Sequence, residues 1–171
     1  DRRHHRINQV TSILKDNDQN IWTASYGAGV RKYNKATGDF ENVPFSHGEG
    51  AAKYVFRLFK DREGKIWAGC IKGRYDANLR KGLWVYDTRS KSFVESSYPV
   101  YEEVLSIEDD KRGNLWVGTL KSLIRISKKT SEIQTFPLGS YVRAIKSDSD
   151  NRLWIGTIGG GLLLFDEKNE R

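Results

Sequence analysis

Asp110-Lys111-Arg112-Gly113-Asn114-Leu115-Trp116-Val117-Gly118-Thr119 is the stretch on which the fold turns. A run of turn-forming and charged residues leads at once into an apolar strand. Its tryptophan follows the aspartate by six positions, and so do Trp22 after Asp16, Trp67 after Asp61 and Trp154 after Asp148. The chain is an internal repeat, and repeat architecture has to be recognised before any residue is given a chemical role.

Outward from each turn the same elements recur. Upstream lies a short strand with apolar positions three apart: Val10 and Ile13, Val55 and Leu58, Val104 and Ile107, Val142 and Ile145. That spacing alone would allow a helical turn, but the Asp/Asn/Gly turn that follows ends any helix and makes the tryptophan strand its antiparallel partner. A third strand follows a small-residue loop at Val30 to Tyr33, Leu83 to Tyr86, Leu123 to Ile126 and Leu162 to Phe165. A weaker, more polar fourth strand at Phe40 to Val43, Phe93 to Glu95 and Ile133 to Phe136 suits an outer edge. Four consecutive antiparallel strands per unit, at roughly 40 to 50 residues per repeat, are the blade of an all-β propeller.

The expected organisation is a basic arm or end of a preceding blade over 1–9, and blades over 10–45, 54–96, 104–137 and 141–171, the last with an incomplete outer strand. A twisted sheet cannot cover its own apolar faces, so blades must cover one another. The recurring Trp22, Trp67, Trp116 and Trp154 are thereby expected between blades rather than against sugars, and Asp16, Asp61, Asp110 and Asp148 are read as turn formers. Gly69, Gly118 and Gly156, each two residues after a tryptophan, fit close approach of sheet to sheet; Ala24 takes that place in the first copy.

These units resemble the two-component regulator propeller repeat, most closely at Asp110 to Thr119 and at Leu153-Trp154-Ile155-Gly156-Thr157-Ile158-Gly159-Gly160-Gly161-Leu162. The resemblance implies a non-catalytic extracytoplasmic sensor of a two-component signal transduction system, periplasmic and Bacteroidetes-like, in which such propellers respond to oligosaccharides and signal to a histidine kinase. The family usually builds seven-bladed rings, so four units imply a fragment of a larger propeller. Further blades or a homodimer partner would then meet the exposed blade faces, and any membrane connection would run through flanking segments.

Composition narrows the other classes. The 171 residues carry 29 Lys plus Arg against 22 Asp plus Glu, a net charge of +7. Basic and acidic residues are interleaved over turns and strand ends, the pattern of a solvated repeat surface, and no nucleic-acid partner is expected. No run of roughly 18 apolar residues marks a membrane helix. The single Cys70 excludes an intramolecular disulfide and sits in a strand context, where an inert, half-buried thiol is expected. No cofactor or metal is expected: adjacent His4 and His5 would point to opposite faces, and His47 is remote in sequence. The Asp16/Asp18 and Asp148/Asp150 pairs lack the remaining ligands of a calcium loop. Gly159-Gly160-Gly161 is followed by no Lys-Ser/Thr, so a tight strand connection is expected there, not a phosphate loop.

Binding is expected where the repeat is broken. Loops between second and third strands share a rim with the inter-blade connections, and one of them is long: Trp67 to Gly82 spans 15 positions, against 7 from Trp22 to Gly29. The insertion over 72–81 brings Arg74, Tyr75, Asp76, Asn78, Arg80 and Lys81 to a rim that also carries Tyr26. Arginine forks and tyrosine faces suit sugars, anionic ones especially. A protein-binding scaffold using the same rim is one alternative. A polysaccharide lyase or glycosidase propeller, for which Glu49, Glu102 and Glu103 would have to supply acid and base, is another.

Overall fold

In the computed structural model the described residues are 9–46, 54–72 and 81–166, and every regular element among them is a strand. The chain divides into two compact units, Asp1–Glu103 and Val104–Arg171. In the first, β1 (Gln9–Lys15), β2 (Ile21–Tyr26), β3 (Gly29–Asn34) and β4 (Asp39–Val43) form one antiparallel meander. A second follows from β5 (Val55–Lys60), β6 (Ile66–Cys70), β7 (Leu83–Asp87) and β8 (Ser92–Glu95). The second unit repeats the plan with β9 (Val104–Asp109), β10 (Asn114–Thr119), β11 (Ser122–Ser127) and β12 (Ile133–Pro137). Its other sheet has three strands among the described residues, β13 (Tyr141–Ser147), β14 (Leu153–Ile158) and β15 (Gly161–Leu164). These are tandem propeller blades.

The six-residue offset has a direct physical cause. In every blade the tryptophan indole N–H donates to a carboxylate oxygen of the turn aspartate, at 2.8 Å for Trp22 and Asp16, 3.0 Å for Trp67 and Asp61, and 2.9 Å for Trp116 and Asp110 and for Trp154 and Asp148. The other oxygen accepts the backbone N–H four residues on, from Asn20, Lys65, Asn114 and Arg152, at 2.8 to 2.9 Å. The aspartate is therefore more than a turn former. It ties the turn to the blade core, giving a buried indole the partner it needs. Three residues after each aspartate the backbone is left-handed, at Gln19, Gly64, Gly113 and Asn151, the conformation that glycine and asparagine adopt most easily.

Within each unit one blade's tryptophan face is covered by the next blade's first strand. Trp22, Ala24 and Val30 pack with Val55, Leu58 and Ala68 in one core, and Trp116 and Leu123 with Val142, Ile145 and Ile155 in the other. Side-chain hydroxyls join the sheets: Thr11 donates to the Val55 carbonyl at 2.7 Å and Ser106 to the Val142 carbonyl at 2.9 Å. Gly118 explains why a glycine follows that tryptophan. A Cβ there would stand 2.1 Å from Ser106 Oγ and 2.5 Å from Val142 Cγ1.

Two local expectations are corrected. The outer strand of the second blade is not a free edge: Phe93 and Ser92 are buried because residues 44–46, just after β4, pair with it, Phe93 N–H donating to the Pro44 carbonyl at 2.8 Å and Ser46 N–H to the Phe93 carbonyl at 2.9 Å. Cys70 is fully buried, not half-buried, since β6 is covered on both faces.

Gly118→Ala is expected to lower stability by roughly 2 to 3 kcal/mol through overpacking. Gly156→Ala, whose Cβ would meet only Ala144 at 3.4 Å, should stay within about 0.5 kcal/mol, both read by chemical denaturation.

The turn carboxylates also set an acid response. At Asp16 and Asp110 burial by itself would raise the pKa, but hydrogen bonds from the tryptophan, the asparagine side chain and the backbone outweigh it and hold both below the ordinary 3.8. At Asp148 the indole of Trp154 chiefly holds the carboxyl well below the usual range, opposed by partial burial and aided by Arg152. A depressed folded pKa contributes stability that is complete above the unfolded value and is lost as pH falls through the folded one. Stability is thus expected to decline below about pH 4. In Asp110→Asn an amide NH2 would confront the donors Trp116 Nε1 and Asn114 Nδ2. That variant should be less stable at neutral pH by about 2 to 3 kcal/mol, with a shallower loss between pH 5 and pH 2 in urea titrations.

Candidate functional site

The Asp-rich turns and the outer turns crowd one rim of each blade, and the second-to-third loops lie on the other. On the loop rim of the first unit the strand ends carry aromatic side chains. Tyr26 closes β2 and is exposed, and its ring meets Tyr54 edge-on at 4.7 Å, the two residues also forming a backbone bridge. Tyr54 in turn accepts the Ile71 N–H on its carbonyl at 3.0 Å, which joins this pair to the root of the long loop.

The root itself is held by backbone bonds. Cys70 N–H donates to the Gly82 carbonyl at 2.8 Å, and Gly82 N–H to the Val100 carbonyl at 2.9 Å. On the other side Lys72 N–H donates to Glu103 Oε1, so one of the carboxylates considered for acid-base work holds the loop instead. Lys81 is spent in the same way. Its ammonium donates to the Ser96 carbonyl at 2.9 Å and lies 4.0 Å from Glu95, and its own carbonyl accepts the Trp84 indole N–H at 2.9 Å. Tyr101, beside Glu102 and Glu103, is exposed.

Of the ligand-contact residues expected from the sequence, Tyr26 and Lys81 are described, the first open to solvent and the second committed to the loop's base. Arg74, Tyr75, Asp76, Asn78 and Arg80 lie outside the described residues, as do His4, His5, His47 and Glu49. Sequence reasoning missed Tyr54 and Tyr101. The signal was present: each is an aromatic residue next to an inter-blade connection on the variable rim, where binding is expected.

The turn rim of the first unit holds a groove of about 1010 Å³ between its blades, lined among others by Asp16, Asp18, Lys32, Glu41, Tyr86 and Asp87. Its polar groups largely serve one another. Asp16 is bonded to Trp22 and Asn20, and Lys32 lies 5.0 Å above the Trp22 ring. Burial first, then the carboxylates of Asp87 and Asp16, push the Tyr86 phenol upward. Trp22 at its floor is buried and offers no stacking face. Among the described residues no three His, Cys, Asp or Glu side chains converge on a metal-sized space. Gly159 to Gly161 close the turn between β14 and β15.

Burial pushes the Cys70 thiol far up, away from the thiolate. It is expected to resist a disulfide reagent in the folded protein and to react stoichiometrically in denaturant, as followed by thiol titration; labelling under native conditions would contradict a fully covered β6.

With this geometry in place the chain can be set beside known proteins. The model of the two component regulator propeller family matches residues 99–121 and 137–159, which span the connection into the third blade with β9 and β10, and β13 with β14. An extracellular domain attributed to a hybrid two component system of B. thetaiotaomicron superposes with a TM-score of 0.71 at 26% identity, over 94% of this chain and 21% of that one. A second, attributed to a one component system of the same organism, gives 0.74 at 17% identity, over 95% of this chain and 22% of that one. PorZ, a surface component of the type-IX secretion system of Porphyromonas gingivalis, gives 0.71 at 17% identity, over 95% and 26%. The chain spans about a fifth to a quarter of the length of these structures. No curated protein sequence matches it.

Proposed function

We propose that this chain, which carries two component regulator propeller repeats and is similar to extracellular domains of such regulators, is a non-catalytic sensor segment that binds an oligosaccharide on the loop rim of its first two blades, on the periplasmic side of the membrane. The observation that carries the reading is the Tyr26 and Tyr54 pair at the root of the longest inter-strand loop. Tyrosine rings present flat apolar faces to sugar C–H groups and a phenol at their edge, and they lose little side-chain freedom on binding. Arg74, Tyr75, Asp76, Asn78 and Arg80 of the adjoining insertion supply donors and acceptors for hydroxyl and acidic groups.

The rigid part of the site is its base. Lys81, Glu103 and the Cys70 to Gly82 bond fix where the loop leaves and rejoins the blade, so ligand contacts made by the insertion are delivered from a preset origin. Kinase output and transfer across the membrane would belong to other parts of a longer protein.

Calorimetry against neutral, uronic and sulfated oligosaccharides should identify a ligand class, and Tyr26→Ala should weaken its binding by about tenfold, or about 1.4 kcal/mol. Silence across the panel, or full affinity in Tyr26→Ala, would remove this rim as the site.

A further inference from the structure

The Val-x-x-Ile/Leu signature meets two fates in one chain. Val55, Val104 and Val142, with Leu58, Ile107 and Ile145, are buried, whereas the equivalent Val10 and Ile13 of the first blade are 55% and 69% exposed. At the other end the tryptophan face of the β13 to β15 sheet is open. Leu162 pairs with Gly156 as Leu123 pairs with Gly118, yet Leu162 is 68% exposed and Leu123 fully buried. Ile158 and Leu164 are exposed on the same face.

What fits such a face is visible inside each unit. Trp116 and Leu123 are covered by Val142 and Ile145, and Trp22 and Val30 by Val55 and Leu58. A tryptophan face takes the first strand of another blade. The space above Gly156 is open on that side, whereas a Cβ at Gly118 would strike Val142 of the following strand.

We propose that the open faces of the first and fourth blades are the two halves of one inter-blade interface, and that a second copy of this chain supplies the missing half. Val10 and Ile13 of one copy seat against Ile158, Leu162 and Leu164 of the other. The interface continues the packing that the chain already uses within each unit, and a single chain carries both halves. Thr23 and Arg31 stand in the first blade where the second has Ala68 and Trp84, so this junction is more polar than the internal ones and reversible. It is heterologous, joining two different surfaces head to tail.

Sedimentation equilibrium of the 171-residue chain from about 1 to 100 µM tests it. The wild type is expected to shift from monomer to dimer and on to longer head-to-tail species across that range, because each dimer still carries one free half at either end. Ile13→Glu and Leu162→Glu should each weaken self-association at least about tenfold without changing circular dichroism or the melting midpoint, because both side chains are exposed in the chain itself. An equimolar mixture of the two variants should recover a 1:1 complex, since one intact pair of faces remains. A wild type that stays monomeric at the highest concentration, an Ile13→Glu variant that still dimerises, or a mixture that fails to pair would each overturn the proposal.

Discussion

A carboxylate that accepts an indole N–H is the interaction from which the blades follow. The tryptophan lies on the second strand and the aspartate at the end of the first, so the bond closes a ring that sets the turn's length and the strands' register together. Replacing either partner would leave a desolvated donor or an unsupported turn. The indole can therefore be buried against a neighbouring sheet without an orphaned N–H, and a large flat side chain becomes usable as filler between twisted sheets. Constancy of the offset is thus a geometric requirement.

Burial then grades along the chain according to what each face meets. Trp22 and Trp116 are covered by the next blade of their own unit, and the small residues beside them, Ala24 and Gly118, admit the incoming strand. Trp154 keeps the hydrogen bond and is only half covered, because its face carries exposed leucines. Identical local chemistry yields different solvent exposure, which separates the part of the repeat that folds a blade from the part that joins blades.

The candidate site stands on the opposite principle. Turn rims are uniform since the hydrogen-bonded ring permits few lengths, whereas loop rims are free to vary. Charged residues at the loop root proved to be structural: Lys81 and Glu103 hold backbone groups, leaving the exposed Tyr26, with the partly buried Tyr54 packed against it, as the aromatic feature of this rim. A long loop on a rigid blade needs anchors before it can present anything, and anchors draw on the same polar residue types that a ligand site does.

Periodicity, the aspartate-to-tryptophan offset and the glycine positions determine by themselves that the chain is all-β, built of tandem blades with tryptophans between sheets, because those features are local and each repeat must satisfy them alone. The extra pairing of residues 44–46 on β8, the full burial of Cys70, the meeting of Tyr26 with Tyr54 and the commitment of Lys81 were decided only in three dimensions. Each depends on which distant backbone arrives beside it, and distance along a chain carries no periodic signal of that arrival.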